Sequence, residues 1–406
     1  MPNPPRALSE ILAPVSEAEF FEQYLGREFL LCKGWPGKFA GLLPWPDLNR
    51  ILSHNQLDTP RLRLVREGQT VPFESYASYI SARRPAARRP RLRAPDLTNH
   101  LQQGATLIVD SVDEVHEPIT DLAEELERSL QSRIQVNMYA GWRTSRGFDL
   151  HWDGHDVLIL QVAGRKQWGI YGVTREWPLP GDASKEAKTP PKAPVWEGML
   201  EEGDLLYIPR GWWHVAVPLD EPTLHLTVGL HHPTGMDFIE WFTSRLKDNV
   251  ALRKDLPRFR SQAEREEHLS GIQKAIFEAW KPELLDEYFA SVDSRSASRP
   301  HFALPWSATA AALPQQDSGW AVKWIVPRPV DWNKAVNGSV RIHCGGKQWT
   351  FAPEAAPLLE MLQERRVCHI DEIVGASGNV TRDAARAFIT ELLNAGLVAI
   401  AYAHSE

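Results

Sequence analysis

The chain has 406 residues, 43% of them hydrophobic, too long for one ordinary domain and rich enough to bury sizeable cores. A formal net charge of −7 argues against a protein that coats nucleic acid, while leaving room for a local basic patch. The 3 cysteines, Cys32, Cys344 and Cys368, are far apart, give no disulfide framework or zinc spacing, and fit a reducing cytoplasm.

The opening "MPNPPRALSEILAP" lacks the charged-then-apolar order of a signal peptide. No apolar run reaches the roughly 18 residues of a membrane-spanning helix. Up to residue 115, short apolar runs alternate with Pro- and Arg-rich stretches. "SEAEFFEQYL" has helical spacing and "TPRLRLVREG" reads as a strand. The segment Arg83–Arg93 carries 6 arginines, and its prolines prevent a regular helix. It is either a solvated loop or a docking surface for an acidic partner.

Pro118 opens an amphipathic helix with Ile119, Leu122, Leu126, Leu130 and Ile134 on one stripe. From Gln135 to Leu230 the pattern changes to short strands punctuated by Gly and Pro: "IQVNMYA", "FDLHWD", "DVLILQVAG", "KQWGIYG", "GDLLYIP", "WHVAVPL" and "LHLTVGL". Strands of that kind predict a sandwich or barrel, with a cupin-like jelly roll as one candidate. After "HHPTG" the composition turns helical. Phe238, Trp241, Phe242, Phe277 and Trp280 are too many for a lone helical hairpin and call for a packing partner, the barrel or a second subunit. "SVDSRSASRP" reads as a linker. The last segment predicts three helices and a closing strand, with Thr381 as an N-cap and Gly396 as a helix stop. Such a unit suggests a winged helix. Residues 341–406 hold 6 Lys and Arg against 8 Asp and Glu, which favours packing over DNA binding.

One stretch demands chemistry. In "HWDGHDVLIL", His151, Asp153 and His155 fall at alternate positions, so on a strand they share a face that runs into apolar sequence. Buried polar groups need partners. Two histidines and a carboxylate on one face of an ion, with other positions open, describe a non-haem Fe(II) site. His151 and Asp153 supply two ligands, and His214 in "GDLLYIPRGWWHVAV" supplies a third. His155 competes for that place. Three ligands in line along one strand would span ~13 Å, too far for one ion, so His214 is preferred.

"FDLHWDGHDVLILQVAGRKQW" followed by "LEEGDLLYIPRGWWHVAV" resembles the cupin-type Jumonji-C oxygenases, and among them the ribosomal oxygenase branch. The resemblance implies a double-stranded β-helix (jelly roll) in residues 1–234, a helical dimerisation segment in 235–300 and a winged-helix-like α/β unit in 301–406. It implies an enzyme using Fe(II), with 2-oxoglutarate and O2 as cosubstrates, and the metal triad His151, Asp153 and His214. Lys166 then falls where the family places the cation that binds the far carboxylate of 2-oxoglutarate, as a dicarboxylate in a dry pocket requires. Arg165 beside it should point outward. Asn137 and Tyr139 match the family's Asn and Tyr ahead of the His-x-Asp, and Thr227 offers a hydroxyl. His225 stands where Asn is expected.

The same resemblance implies a protein or peptide substrate hydroxylated on a side chain, a cytoplasmic homodimer, no membrane contact, and nucleic acid only indirectly if the target is ribosomal. A precursor peptide of natural-product biosynthesis is the alternative target. A metal-binding cupin without oxidative chemistry is the alternative class, and a transcriptional regulator is disfavoured by the acidic C-terminal unit. Trp152, Trp168, Trp212 and Trp213 are candidates for the pocket wall, and the segment 176–196 for a groove-shaping loop.

Overall fold

Between Gln135 and Leu230 short apolar runs punctuated by Gly and Pro dictate short strands, and a computed structural model of the chain contains them. It describes residues 7–81, 88–144, 147–179, 181–182, 189–302, 304, 313, 320–328, 338–376 and 381–402. Contacts divide the chain into two compact units, residues 1–232 and 233–406. No helix among the described residues is long and apolar enough to cross a membrane.

In the first unit the strands are β1 (Leu30–Cys32), β2 (Leu62–Arg66), β3 (Gln69–Thr70), β4 (Ala77–Ser81), β5 (Arg88–Leu92), β6 (Thr106–Val109), β7 (Arg133–Gly141), β8 (Asp156–Ala163), β9 (Lys166–Val173), β10 (Pro194–Leu200), β11 (Leu205–Ile208), β12 (Trp212–Pro218) and β13 (Thr223–His231). Eight of them form one antiparallel sheet in the order β1-β11-β8-β13-β7-β6-β2-β3, and three form a second, β10-β9-β12. Val157 and Ile159 of β8 and Leu206 and Ile208 of β11 share a core with Trp168 and Ile170 of β9 and Leu200 of β10. The intervening residues of β8, Leu158, Leu160 and Val162, enter the larger core on the other face of the big sheet. Two antiparallel sheets closed over one interior make the cupin-type double-stranded β-helix that the strand pattern suggested.

Several boundaries differ from the sequence expectation. The helix opened by Pro118 spans Glu117–Leu130 and stops at Gln131, whose φ is +48°. Ile134 therefore belongs to β7, where its N–H donates to the Glu127 carboxylate over 3.2 Å. The "HWDGHD" stretch is not one continuous strand. His151 forms an isolated bridge to His214, and β8 starts only at Asp156. The segment 176–196 is not loop to its end, because β10 begins at Pro194 and pairs with β9. Part of the Arg83–Arg93 segment forms β5, hairpin partner of β4, while residues 82–87 lie outside the described residues. Of the strands before residue 115, β1 extends one edge of the big sheet, and β6, β2 and β3 extend the other.

The second unit opens with helices Gly235–Arg245, Gln262–Ala279 and Leu284–Arg295. The middle one is started by a capping box between Ser261 and Glu264. The last runs into the predicted linker as far as Arg295. Phe238 packs edge-on against Trp280 and Tyr288 at 5.6 and 5.5 Å, and Phe242 is buried, so much of the aromatic surplus satisfies itself. Beyond, helices Ala356–Arg365, Ile370–Ala376 and Arg382–Ala395 surround a sheet of three short strands, Val367–Cys368, Trp320–Trp324 and Val398–Tyr402, with a separate hairpin of Val340–Cys344 and Lys347–Phe351. Thr381 caps the last helix by accepting from the Ala384 N–H, and Gly396 ends it at φ +71°.

Candidate metal centre

The first unit brings His151, Asp153 and His214 together, with one donor atom from each inside a span of 4.8 Å. The backbone explains the convergence. His214 sits on β12 just past a register shift between Trp212 and His214. Gly211 turns the chain into that strand with φ +83°, where a Cβ would lie 2.8 Å from the Arg175 carbonyl. Its N–H donates to the Asp153 carbonyl over 3.0 Å, while His151 and His214 exchange backbone hydrogen bonds of 3.2 and 2.7 Å. The irregular stretch from Trp152 to His155 lets the Asp153 carboxylate fold back between the two imidazoles instead of standing in line with them.

Second contacts fix the tautomers. His151 Nδ1–H donates to the Asp149 carbonyl at 2.8 Å, and His214 Nδ1–H to the Trp212 carbonyl at 3.0 Å. Both Nε2 lone pairs are thus left for a ligand, and they stand 3.9 and 3.6 Å from the Asp153 carboxylate oxygens. Burial, reinforced by the charge of His151, holds His214 down to about 4, so its ring is neutral at physiological pH. Burial alone would raise Asp153, but His214, His151 and His155 outweigh it and hold the carboxyl below its usual range. Two imidazoles and a carboxylate, the rings oriented by backbone carbonyls, fit a divalent transition metal.

The triad lines a cavity of about 260 Å³, together with Lys166, Tyr139, Thr227, His225, Trp168, Ile159, Phe148 and Arg63 among others. Lys166 is 4% exposed, and burial pulls its ammonium down to about 7. Arg165 turns outward and pairs with Glu221 at 3.0 Å. Thr227 stands opposite Asn137 in the β13–β7 register, and His225 opposite Tyr139. Asn137 does not line the cavity. Its side-chain oxygen accepts from the Ser111 N–H at 2.9 Å, and it hydrogen-bonds Tyr139, whose hydroxyl is raised by burial and by the Asp153 charge. Of the four tryptophans only Trp168 borders the cavity. Trp213 donates to the Thr174 hydroxyl, and Trp212 packs on Phe29.

His155 takes no part in the metal cluster. Its ring stacks on His231 with centroids 4.7 Å apart, over Gly229, where a Cβ would come within 2.9 Å of it. It borders a separate cavity with Asp156, Arg210 and His231. Sequence reasoning missed Arg63, which reaches the cavity from β2 while its guanidinium grips Asp110 at 2.9 and 3.0 Å. The apolar-polar alternation of "LRLVR" held the only signal for it.

Comparison with known proteins agrees with this geometry. Residues 114–238 match the JmjC domain family. The chain is 27% identical over 229 residues to a Drosophila persimilis protein named bifunctional lysine-specific demethylase and histidyl-hydroxylase NO66, covering 56% of this chain and 32% of that one. It is 27% identical over 387 residues to Gallus gallus ribosomal oxygenase 1, covering 89% of this chain and 62% of that one. The chain thus spans less than two thirds of the length of these curated relatives. A crystal structure of Escherichia coli ycfD superposes with a TM-score of 0.58 over 95% of this chain and 98% of that one, at 18% identity, which is a likeness of fold. Another structure of that bacterial protein, described as a ribosomal oxygenase, holds cobalt and 2-oxoglutarate.

Proposed function

We propose that this chain is an Fe(II)- and 2-oxoglutarate-dependent oxygenase that hydroxylates a side chain of a protein or peptide, as the names of its relatives indicate for them. The observation that carries the reading is the convergence of two Nε2 atoms and one carboxylate on a cavity that also contains a buried lysine. His151, Asp153 and His214 would hold the iron. When bound, the iron supplies the redox chemistry by which 2-oxoglutarate and O2 become succinate and CO2 while one oxygen atom enters a substrate C–H bond.

The protein's own part is positioning. Lys166 pairs with the distal carboxylate of 2-oxoglutarate, a charge-assisted contact strengthened by the dry surroundings. Thr227 and Tyr139 flank it as hydroxyl groups, and Asn137 orients Tyr139 from behind. Trp168, Ile159 and Phe148 keep water off the reacting atoms. The carbonyls that accept from Nδ1–H of His151 and His214 turn Nε2 of each ring toward the metal position.

The same proposal assigns residues 1–234 to catalysis, 235–300 to dimerisation and 301–406 to a winged-helix-like unit, in a cytoplasmic homodimer. Succinate release from 2-oxoglutarate is its test. Wild-type protein with Fe(II) should release it, and His214→Ala should lose at least about a hundredfold of that rate. A metal-binding cupin without oxidative chemistry would release none, and that result overturns the proposal. Mass spectrometry of cellular peptides with and without the protein then identifies the target by one added oxygen atom, on a ribosomal protein or on a small precursor peptide.

A further inference from the structure

Lys166 does not enter the cavity alone. Its Nζ lies 3.3 Å from Nδ1 of His225, a side chain only 4% exposed. The His225 ring lies flat on Tyr139, with centroids 5.0 Å apart and planes within 3°, and Trp168 meets it edge-on at 5.7 Å. The charged form of Lys166 can only donate, so toward it Nδ1 accepts and the ring proton sits on Nε2. Burial and the neighbouring Lys166 charge hold the ring well below the ordinary imidazole range, so it stays neutral. Among the described residues Nε2 has no hydrogen-bond partner, and the ring borders the cavity.

Lys166 and His225 come from different sheets, β9 and β13, and both strands are held by neighbours on each side. The hydrogen bond between the two side chains fixes where the Lys166 ammonium stands in the cavity. We propose that His225 is the positioning residue of the cosubstrate anchor: by accepting from Lys166 through Nδ1 it aims the ammonium at the distal carboxylate, so that 2-oxo diacids are sorted by length. The inference rests on the reading of the chain as a 2-oxoglutarate-dependent enzyme and deepens it.

The test measures binding without turnover. Protein loaded with Mn(II) and kept free of oxygen is titrated calorimetrically with 2-oxoglutarate, oxaloacetate and 2-oxoadipate. His225→Phe keeps the stack on Tyr139 and removes both nitrogens. It should raise the Kd for 2-oxoglutarate about tenfold or more and flatten the preference over the shorter and longer diacids, with Mn(II) affinity unchanged. His225→Asn restores an acceptor and a donor and should recover part of the loss, which a purely structural role would not predict. In wild-type protein, long-range proton–nitrogen spectra should place the His225 proton on Nε2, and the Nδ1 resonance, which faces Lys166, should shift when 2-oxoglutarate is added. This measurement decides the matter even if the Phe variant fails to fold. A proton on Nδ1, an unmoved Nδ1 resonance, or a folded Phe variant that binds as tightly and selectively as wild type overturns the role of His225 alone. If the wild type binds no 2-oxoglutarate, the enzymatic reading fails and takes this inference with it.

Discussion

At the scale of single residues, the most informative group is a cation that the fold does not want. The unfolded chain keeps lysine near its usual value of about 10.4, whereas burial brings Lys166 down to about 7. The folded chain therefore binds fewer protons than the unfolded one between those values, and this residue's contribution to stability rises with pH across that window. Below about 7 the full penalty of a buried ammonium is in place. Lys166→Met should accordingly raise the melting temperature at pH 6 while removing cosubstrate affinity, a trade of stability for function. The other groups on the cavity do not share this titration: Arg63 is committed to Asp110, His225 is neutral, Tyr139 is raised, and Asp153 is held ionised. A dicarboxylate needs the charged form, so at pH 8 its binding takes up nearly one proton, and the apparent affinity falls about tenfold per pH unit. At pH 6 the uptake nearly vanishes. Calorimetry in two buffers of different protonation enthalpy reads this directly, and zero uptake at pH 8 would remove Lys166 from the anchor.

At the scale of elements, the edge strand β1 shows how the barrel is completed by contacts far apart in sequence. Three residues cannot hold a strand by themselves, and β1 relies on the turn before β11. There the Asp204 carboxylate, 3% exposed, accepts from Lys33 Nζ at 2.6 Å, from the Gly34 N–H at 3.0 Å and from the Glu201 N–H at 2.9 Å. Asp204→Ala orphans two backbone donors and should cost about 2–4 kcal/mol in urea unfolding. A loss below about 0.5 kcal/mol would mean that pairing with β11 suffices. None of this was legible in the sequence, because "LLC" carries no period and its partner lies beyond residue 200. What was legible followed from strong local signals. The short apolar runs of β7, β8, β9, β11, β12 and β13, set apart by Gly and Pro, announced the barrel, Pro118 announced its helix, and Thr381 and Gly396 marked the ends of another. The pairing of His151 and Asp153 with His214 was reachable from ligand chemistry, but through a strand-parity argument that the backbone does not follow. Strand parity would have set the three side chains of "HWDGHD" on one face, whereas a break at Gly154 and the bridge between His151 and His214 select two of them and send His155 to His231. Polar helical stretches such as "QAEREEH" escaped because hydrophobic periodicity is silent where neither face is buried.

At the scale of the whole molecule, the helical part of the second unit leaves more apolar surface in water than a folded monomer usually tolerates. Phe277 is 67% exposed, Leu269 62%, Trp280 49%, Leu285 51% and Phe289 45%. Leu269 and Phe277 are eight residues apart on the helix Gln262–Ala279, hence on nearly the same face, and that face finds no core within its own unit. Isolated exposed apolar residues need no explanation, but a row of them along one helix does. A second copy of the same helix is the simplest cover, since a two-fold axis lets one self-complementary patch serve both partners. Light scattering at micromolar concentration should give twice the chain mass of 45.9 kDa. Leu269→Glu combined with Phe277→Glu should halve it, because two buried carboxylates on each partner, repeated across the axis, would face an apolar surface with no counter-ion. The metal cavity lies wholly within residues 1–232, so the monomeric variant should still bind Mn(II) at the triad. A wild-type chain that runs as a monomer at that concentration leaves the exposed row without a self-partner, and the dimer is then wrong whatever the fate of the metal site.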